Sequence, residues 1–244
     1  MKTGEKLYEG KAKILYATDD AQQVIQYFKD DATAFNAQKR GTIGEKGVVN
    51  NKIAAHIFEM LEGLGIKTHF IKLLSDREML VRKVTILPLE VTMRNIVAGG
   101  MAKLLGLEEG IRLKDPVFEY HYKRDDLGDP LITEYHIRAL GIATDGDLAF
   151  IERQSFAINR ILSAFFAERG LELVDFKLEF GKDQGGRILL ADEISPDTCR
   201  LWEVGTGRKL DKDRFRRDLG DVESAYQEVL RRVLAEPSAK AATS

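Results

Sequence analysis

Short runs of alternating or β-branched residues dominate the first third of the chain. The spacing of apolar and polar positions predicts strands of an antiparallel sheet at residues 13–16, 24–28, 69–74 and 79–84. Between them, residues 48–64 carry apolar side chains at helical spacing, and Gly63 and Gly65 mark where that pattern ends. We therefore expect one helix to cross this sheet.

The pattern becomes mixed after Pro88 and then mainly helical. It predicts a helix around 100–105, a polar loop at 115–130, helix over 137–169, strand character at 171–194, a helix over 212–234 and a frayed tail after Glu236. This order predicts an α+β fold of two packed lobes. The N-terminal antiparallel lobe comprises residues 1–86 and the larger C-terminal lobe residues 87–244, with the boundary near 84–88.

Composition excludes several classes of protein. The 244 residues are 44% hydrophobic, and 37 basic side chains nearly balance 39 acidic ones, so no general attraction to nucleic acid or an anionic membrane is expected. Cys199, the single cysteine, excludes an internal disulfide and a multi-cysteine zinc site. The charged start and the lack of a long apolar run predict a cytoplasmic protein without a signal peptide or membrane span.

Strict alternation at 173–181 separates two faces of one predicted strand. Asp175, Lys177 and Glu179 point to one side, while the aromatic and aliphatic residues between them point to the other. With 183–186 as the turn of a hairpin, Asp192 on the returning strand falls opposite Lys177. A shift of one residue would move Asp192 to the other face, so the constellation depends on the register.

Two carboxylates that flank an amine on a rigid hairpin suit Mg²⁺ bound to a nucleotide, because Mg²⁺ prefers hard oxygen ligands and often takes only one or two from protein. The equally plain alternative is a half-exposed hairpin with a cross-strand pair of Asp and Lys.

A second candidate site is the glycine-lysine segment at 7–15. Gly10 permits a tight turn between strands, and Lys11 and Lys13 place cations next to exposed backbone amides, where a polyphosphate could bind. The segment lacks the G-x-x-x-x-G-K-[ST] pattern of a P-loop and is more similar to the glycine-rich hairpin of kinase-like sites. A hairpin without function is the commoner source of such a pattern.

Taken together, the motifs at 8–13, 87–99, 121–130, 174–181 and 192–202 resemble those of the phosphoribosylaminoimidazole-succinocarboxamide synthase family, the SAICAR synthetases. The resemblance implies an α+β fold related to kinase-like and ATP-grasp folds, with ATP between the lobes, and a homodimer. It also implies that ATP activates the carboxylate of a carboxyaminoimidazole ribotide as an acyl phosphate. The amine of L-aspartate then attacks, and phosphate leaves.

For ATP and magnesium, the resemblance implies that Lys11 and Lys13, with Gly10 and Ala12, hold the phosphates. The adenine is expected against Leu15, Val24 and Ile86, with hydrogen bonds from the backbone of Arg82, Lys83 and Val84. Glu179 and Asp192 would hold Mg²⁺, and Lys177 would balance their charge.

For the ribotide, the resemblance implies that Arg94 and Arg200 clamp the phosphate, because a guanidinium offers two parallel donors. Ser195 is also assigned to substrate binding. Lys123 and Asp129 would position the imidazole, and Asp175 could accept a proton from the aspartate ammonium. The sequence departs from the family at Gly100, where Ser is usual, so the amides of Gly99 and Gly100 would replace a hydroxyl.

Two other readings stay open at this point. An ATP-dependent phosphotransferase would use the same hairpin and carboxylates, although the chain lacks the H-R-D and D-F-G motifs of protein kinases. A nucleotide- or RNA-binding module would leave the carboxylate-bearing hairpin unexplained. Several further residues have no metal-ligand spacing or reactive context and are expected to pack or lie at the surface: His56, His69, His121, His136, Cys199 and Trp202.

Overall fold

The computed structural model of the chain describes residues 3–34 and 39–235. The strands are β1 (Lys6–Glu9), β2 (Lys13–Ala17), β3 (Gln23–Phe28), β4 (Asp31–Ala34), β5 (Lys39–Thr42), β6 (Phe70–Leu73), β7 (Glu78–Arg82), β8 (Thr85–Ile96), β9 (Arg112–Tyr122), β10 (Leu131–Ile132), β11 (Leu171–Lys182), β12 (Ile188–Ala191) and β13 (Cys199–Glu203). The helices are α1 (Lys46–Gly63), α2 (Gly99–Leu105), α3 (Glu134–Ala139), α4 (Asp145–Ala167), α5 (Asp213–Arg216) and α6 (Val222–Leu234). The predicted frayed tail lies outside the described residues.

Two antiparallel sheets form the framework. The first has the strand order β1-β2-β3-β7-β6, and the second has the order β10-β9-β8-β11-β12, with β13 also paired to β11. The chain passes from the first sheet to the second at Lys83–Val84, between β7 and β8. A bridge between Thr68 and Leu190 and the hydrogen bond from His69 N to Leu190 O join the two sheets.

Helices cover one side of each sheet and bury its apolar face. The helix α1 packs on β3 and β6 as the sequence pattern predicts, and it also contacts α6. The helix α4 packs on β11, where Phe176, Leu178 and Phe180 join Ile158 and Leu162 in the core. The opposite face of β11 is therefore free to carry polar groups. Within 3–34 and 39–235, no helix combines the length and apolar character needed to cross a membrane.

Both long helices predicted in the C-terminal part are interrupted. The predicted helix 137–169 is wrong across 140–144, where Gly141 has a φ of 64° and Thr144 caps the start of α4. The predicted helix 212–234 is wrong across 217–221, where Asp218, Gly220 and Asp221 all have left-handed backbone conformations. Left-handed residues cannot continue a right-handed helix, and periodicity alone does not reveal them.

The predicted polar loop at 115–130 is wrong in its first half. Residues up to Tyr122 belong to β9, which lies between β8 and β10 in the second sheet. The charged residues Lys114, Asp115 and Glu119 suggested a loop. They are compatible with a strand because one face of an antiparallel sheet can be polar. Only the turn Asp125–Leu127 and its flanks keep the irregular character that the sequence predicts.

A buried ion pair ties α1 to the turn after β12 and to α6. The Lys46 side chain is only 1% exposed, and its Nζ donates to Asp197 Oδ2 at 2.9 Å. The hydroxyl of Tyr226 donates to the other carboxylate oxygen of Asp197 at 2.6 Å. Burial alone would raise the pKa of Asp197, but Lys212 and Lys46 lower it instead.

Removing the Asp197 side chain should leave Lys46 buried without its carboxylate partner. We expect Asp197→Ala to lower the free energy of unfolding by about 3–5 kcal/mol, as found when one partner of a buried pair is deleted. Urea unfolding followed by circular dichroism measures this. The control is Asp76→Ala, whose exposed pair with Lys52 should contribute less than about 1 kcal/mol. Equal effects of the two substitutions would contradict the structural role of the buried pair.

Candidate active site

A cavity of about 640 Å³ lies between the first sheet and the second. Every residue predicted to bind ATP lines it: Gly10, Lys11, Ala12, Lys13, Leu15, Val24, Arg82, Lys83, Val84 and Ile86. Five further predicted site residues line it as well: Lys123, Asp129, Lys177, Glu179 and Asp192. The fold thus brings residues separated by almost the whole chain to one cleft.

The β1–β2 hairpin forms one wall of this cleft. The amide of Gly10 donates to Lys13 O at 2.8 Å and closes the turn. A Cβ at Gly10 would lie 3.1 Å from the Tyr8 ring, so a side chain there would require the ring to move. Lys11 reaches across the mouth of the cleft, where its Nζ donates to Asp125 Oδ1 at 2.6 Å. The tip of the hairpin is therefore held over the cavity by a pair of exposed charges.

Lys13 lies deeper in the cleft between two carboxylates. Its side chain is 13% exposed; it pairs with Asp192 and lies 3.3 Å from Glu193 Oε1. Burial alone would lower the pKa of Lys13, but the charges of Asp192 and Glu193 raise it, so the ammonium stays charged. Glu193 Oε2 is buried and, among the described residues, has no hydrogen-bond partner. The sequence reasoning missed Glu193, although it adjoins Asp192 directly.

The hairpin register predicted for β11 and β12 is wrong by one residue. Glu179 pairs with Ala191 and Lys182 with Ile188, which leaves 183–187 as the loop. Regular alternation from this register would carry Asp192 to the wrong face. Asp192 instead follows the end of β12 with a φ of 62°, and its carboxylate reaches Lys13. The left-handed conformation therefore restores the predicted neighbourhood of Asp192 by a different route.

The polar face of β11 forms the floor of the cleft together with β8. Lys177 Nζ donates to Glu90 Oε1 at 2.7 Å, and Lys123 Nζ donates to Glu179 Oε1 at 2.6 Å. Glu90 lies directly opposite Glu179 in the strand register. Sequence reasoning missed Glu90. It belongs to the 87–99 motif, but only its pairing with β11 shows that it lies in the cleft.

Electrostatics set the protonation of this floor. Burial and the charge of Asp192 raise the pKa of Glu179, whereas Lys177 and Lys123 act in the opposite direction. Burial alone would raise the pKa of Asp192 too, but Lys13 and Lys177 lower it. Lys177 itself would lose basicity by burial, yet Glu179 and Glu90 raise its pKa.

The oxygen donors of the cleft fit a magnesium ion that arrives with a nucleotide. Lys13, Lys123 and Lys177 are outnumbered by the carboxylates of Glu90, Glu179, Asp192 and Glu193. Across the described part of the chain, no group of three or more His, Cys, Asp or Glu residues forms a ready-made metal cage. Mg²⁺ commonly takes one or two protein carboxylates and completes its shell with phosphates and water, which agrees with this donor set.

Asp129 stands at the rim of the same floor. It has a left-handed φ of 50°, and its Oδ1 accepts from the amide of Arg124 at 2.9 Å. Burial first, and then the charges of Glu90 and Asp125, raise its pKa above the ordinary value for aspartate. A carboxylate with a raised pKa is a stronger base, so Asp129 is suited to proton transfer.

Of the six remaining predicted residues, none lines the cavity, and five of them meet next to it. Arg94 Nη1 donates to Asp175 Oδ2 at 2.8 Å, and Arg200 Nη1 donates to the same oxygen at 2.7 Å. Gly99 has a φ of 54°, and a Cβ there would lie 2.4 Å from Arg200 Nη2, so no side chain fits. A Cβ at Gly100 would lie 3.8 Å from Arg94 Nη2. We call these five residues the arginine cluster.

Ser195 plays a different part in the structure. Ser195 is buried, and its Oγ accepts a hydrogen bond from the amide of Asp197 at 3.1 Å. The carbonyl of Ser195 accepts from the amides of Thr198 and Cys199. These bonds hold the turn that carries Asp197, so the contacts of Ser195 are internal to the protein.

His69, His121 and His136 differ in burial and in their contacts. His136 completes the capping box of α3, and His121 Nδ1 lies 3.0 Å from Asp129 O. His69 lines the cleft, where burial lowers its pKa to about 3 and keeps it neutral. Cys199 is buried with a raised pKa, and Trp202 packs under Lys209 Nζ at 4.3 Å.

Comparison with known proteins gives a consistent result. Residues 6–233 match the family described as SAICAR synthetase. A phosphoribosylaminoimidazole-succinocarboxamide synthase of Clostridium botulinum (strain Eklund 17B / Type B) is 61% identical over 229 residues, which cover 94% of this chain and 97% of the relative.

Solved structures agree with the sequence match. The phosphoribosylaminoimidazole-succinocarboxamide synthase of Ehrlichia chaffeensis superposes with a TM-score of 0.93 at 50% identity, covering 96% of this chain and all of the other. A SAICAR synthetase in complex with ADP gives a TM-score of 0.90 at 48% identity, covering 94% and 98%. These neighbours confirm the predicted α+β fold class. Since the family match spans nearly the whole chain and the relatives match over almost their full length, the chain belongs to the SAICAR synthetase family.

Proposed function

We propose that this chain joins L-aspartate to 5-amino-1-(5-phosphoribosyl)imidazole-4-carboxylate, the carboxyaminoimidazole ribotide, with ATP converted to ADP and phosphate. The product is the succinocarboxamide ribotide of de novo purine biosynthesis. One observation carries the proposal: the polar face of β11 runs from the arginine cluster at Asp175 to the lysine-carboxylate floor at Glu179. At the usual strand rise these positions lie about 13 Å apart, so one substrate can contact both.

The nucleotide side of the proposal uses the residues of the first sheet. We propose residues 1–86 as the nucleotide-binding lobe and residues 87–244 as the lobe that binds substrate and metal. Lys11 and Lys13 would neutralise the phosphates of ATP, while Leu15 and Val24 offer an apolar surface for adenine. An SAICAR synthetase at 48% identity was solved with ADP, which supports a nucleotide in this cleft.

Glu179 and Asp192 would hold Mg²⁺ beside the nucleotide. When bound there, the ion supplies positive charge that stabilises the transferring phosphoryl group. Lys13 pairs with Asp192, and Lys123 and Lys177 pair with Glu179, so these cations hold both carboxylates at the cavity. Their ammonium groups also prevent the carboxylates from repelling the phosphates of an approaching ATP.

Lys177 and Lys123 are placed to orient the imidazole carboxylate. Each ammonium is raised in pKa by nearby carboxylates despite burial, so each stays positive and attracts the substrate anion. Activation of this carboxylate is needed because a carboxylate is a poor electrophile. Orientation by two fixed cations lowers the entropy cost of bringing it to the γ-phosphate.

The aspartate amine must lose a proton before or during attack. The sequence reasoning assigns this role to Asp175, but both of its oxygens already accept hydrogen bonds from guanidinium groups. Asp129 lines the cleft and has a raised pKa, so it is the better acceptor. Asp175 would then act by positioning Arg94 and Arg200 for the ribotide phosphate.

We further propose that the enzyme is a homodimer of the cytoplasm.

The reaction is tested by incubating the protein with Mg²⁺-ATP, L-aspartate and the ribotide, omitting each in turn. We expect ADP and the succinocarboxamide ribotide, quantified by chromatography and mass spectrometry, only in the complete mixture. ADP formation without any amide product would indicate a phosphotransferase or uncoupled activation. A folded protein with no nucleotide turnover would indicate a binding role.

The metal assignment is tested by Asp192→Asn, which removes a charge and keeps the shape. We expect kcat/KM to fall by roughly a hundredfold or more, because a group that stabilises transition-state charge has been weakened. Titration of Mg²⁺ into the protein with ADP, followed by calorimetry, should show weaker metal binding. Asp183→Asn in the β11–β12 loop is the matched control. Unchanged turnover at limiting Mg²⁺ would contradict the assignment.

The phosphate clamp is tested by Arg200→Ala. Loss of charged hydrogen bonds should raise the KM for the ribotide by roughly ten- to a hundredfold and leave the KM for ATP much less affected. Arg187→Ala, which removes an exposed guanidinium from the β11–β12 loop, provides the comparison. If Arg200→Ala weakened ATP and ribotide equally, the ribotide assignment of Arg200 would be wrong.

A further inference from the structure

Glu109 places a carboxylate against the edge of the arginine cluster. Its Oε1 accepts from the amide of Gly99 at 3.1 Å and also from Arg217 Nη2. Its Oε2 accepts from Arg217 Nη1 at 2.9 Å and lies 3.7 Å from Lys209 Nζ. The carboxylate thus has a backbone amide, a bidentate guanidinium and an ammonium around it, the set of donors that proteins commonly use for phosphate.

The carboxylate of Glu109 is also close to the proposed ribotide phosphate clamp. Arg200 Nε and Arg217 Nη2 share one oxygen of Asp213, at 3.0 and 3.6 Å. Arg200 Nη2 lies only 2.4 Å from the position that a Cβ of Gly99 would take, and the amide of Gly99 donates to Glu109. The anion held by Gly99 and Arg217 is therefore a direct neighbour of Arg200.

We propose that Glu109 is an internal competitor for the phosphate of the ribotide: its carboxylate occupies donors of that subsite and is displaced when the ribotide binds. This inference rests on the proposed function, since it takes Arg94 and Arg200 as the phosphate clamp. It adds Arg217 and the Gly99 amide to the phosphate-binding groups. It also makes Glu109 a residue that sets the affinity for the ribotide without contacting the reacting atoms.

The exchange is favourable for charge and geometry. A phosphate monoester carries about −1.5 to −2 charges near pH 7 and has three strong acceptor oxygens, against one charge and two oxygens for the carboxylate. Hydrogen bonds from Arg217 and, to a smaller extent, from the Gly99 amide lower the pKa of Glu109 to about 2. Glu109 therefore competes as an anion throughout the neutral range. The Glu109 side chain is 31% exposed and can swing into solvent when it is displaced.

A purely structural role for Glu109 makes the opposite prediction. In that case Glu109 fixes the segment after α2, keeps Gly99 and Arg217 in place, and helps the ribotide to bind. Glu109→Gln separates the two roles, because the amide oxygen can still accept from Gly99 and Arg217 while the negative charge is gone. Competition predicts tighter ribotide binding in this variant, whereas a purely structural role predicts weaker or unchanged binding.

The experiment measures the dissociation constant of the ribotide by calorimetry, and its KM, for the full-length wild type and Glu109→Gln. We expect the variant to bind the ribotide roughly two- to fivefold more tightly, the range set by loss of a partly exposed ion pair. Glu108→Gln removes the same charge from the adjacent exposed residue and should leave ribotide affinity unchanged. The thermal unfolding midpoint of each variant checks that the fold is intact.

A ligand without phosphate completes the test. The corresponding riboside should bind wild type and Glu109→Gln equally, because it has nothing to exchange with the carboxylate. Weaker or unchanged ribotide binding by the variant, or equal tightening for ribotide and riboside, would overturn the inference. Failure of the proposed function looks different: the wild-type protein would then form no succinocarboxamide product in the complete mixture, whatever the behaviour of Glu109→Gln.

Discussion

The need to pair buried charges on β11 is the constraint on which the site depends. Asp175 and Glu179 are almost fully buried, and an ionised group in such a position is tolerated only with a partner. At one end of the strand the partners are guanidinium groups, and at the other end they are ammonium groups. The pairing that makes burial possible therefore also places two groups of cations, guanidinium at one end and ammonium at the other, on one rigid element.

The sequence could reveal β11 because its alternation is local. Phe176, Leu178 and Phe180 face the core beside α4, and the charged residues between them face the cleft, as predicted. The same local reasoning missed Glu90, whose importance comes from its position opposite Glu179 on a neighbouring strand. Register between strands distant in sequence is fixed by packing and turns, so a period-2 pattern cannot predict it.

Backbone conformation explains the other differences between prediction and structure. Left-handed Gly141 and Asp218 follow the ends of helices that periodicity alone would continue, and left-handed Asp129 and Asp192 turn carboxylates toward the cleft. Asp tolerates this conformation better than most residues but seldom adopts it, which makes it hard to predict from one sequence. The structure brings Glu179, Lys177 and Asp192 to one cleft, although the hairpin register predicted for them is wrong.

The separation of these two groups of cations along β11 also bears on how substrate binding and chemistry can be tuned independently. The arginine cluster lies outside the cavity lining, and the carboxylates that contact it belong to β9, β11, α5 and the segment after α2. Changes in those carboxylates would alter the field at the proposed site of the ribotide phosphate while the ion pairs of Lys13, Lys123 and Lys177 stay in place. On the proposed assignment, a carboxylate such as Glu109 therefore sets the affinity for one substrate with little effect on the lysine ion pairs of the cleft. The rigid strand between the two groups fixes their distance, so on the same assignment the binding energy gained at the phosphate is available to hold the imidazole carboxylate in position for reaction.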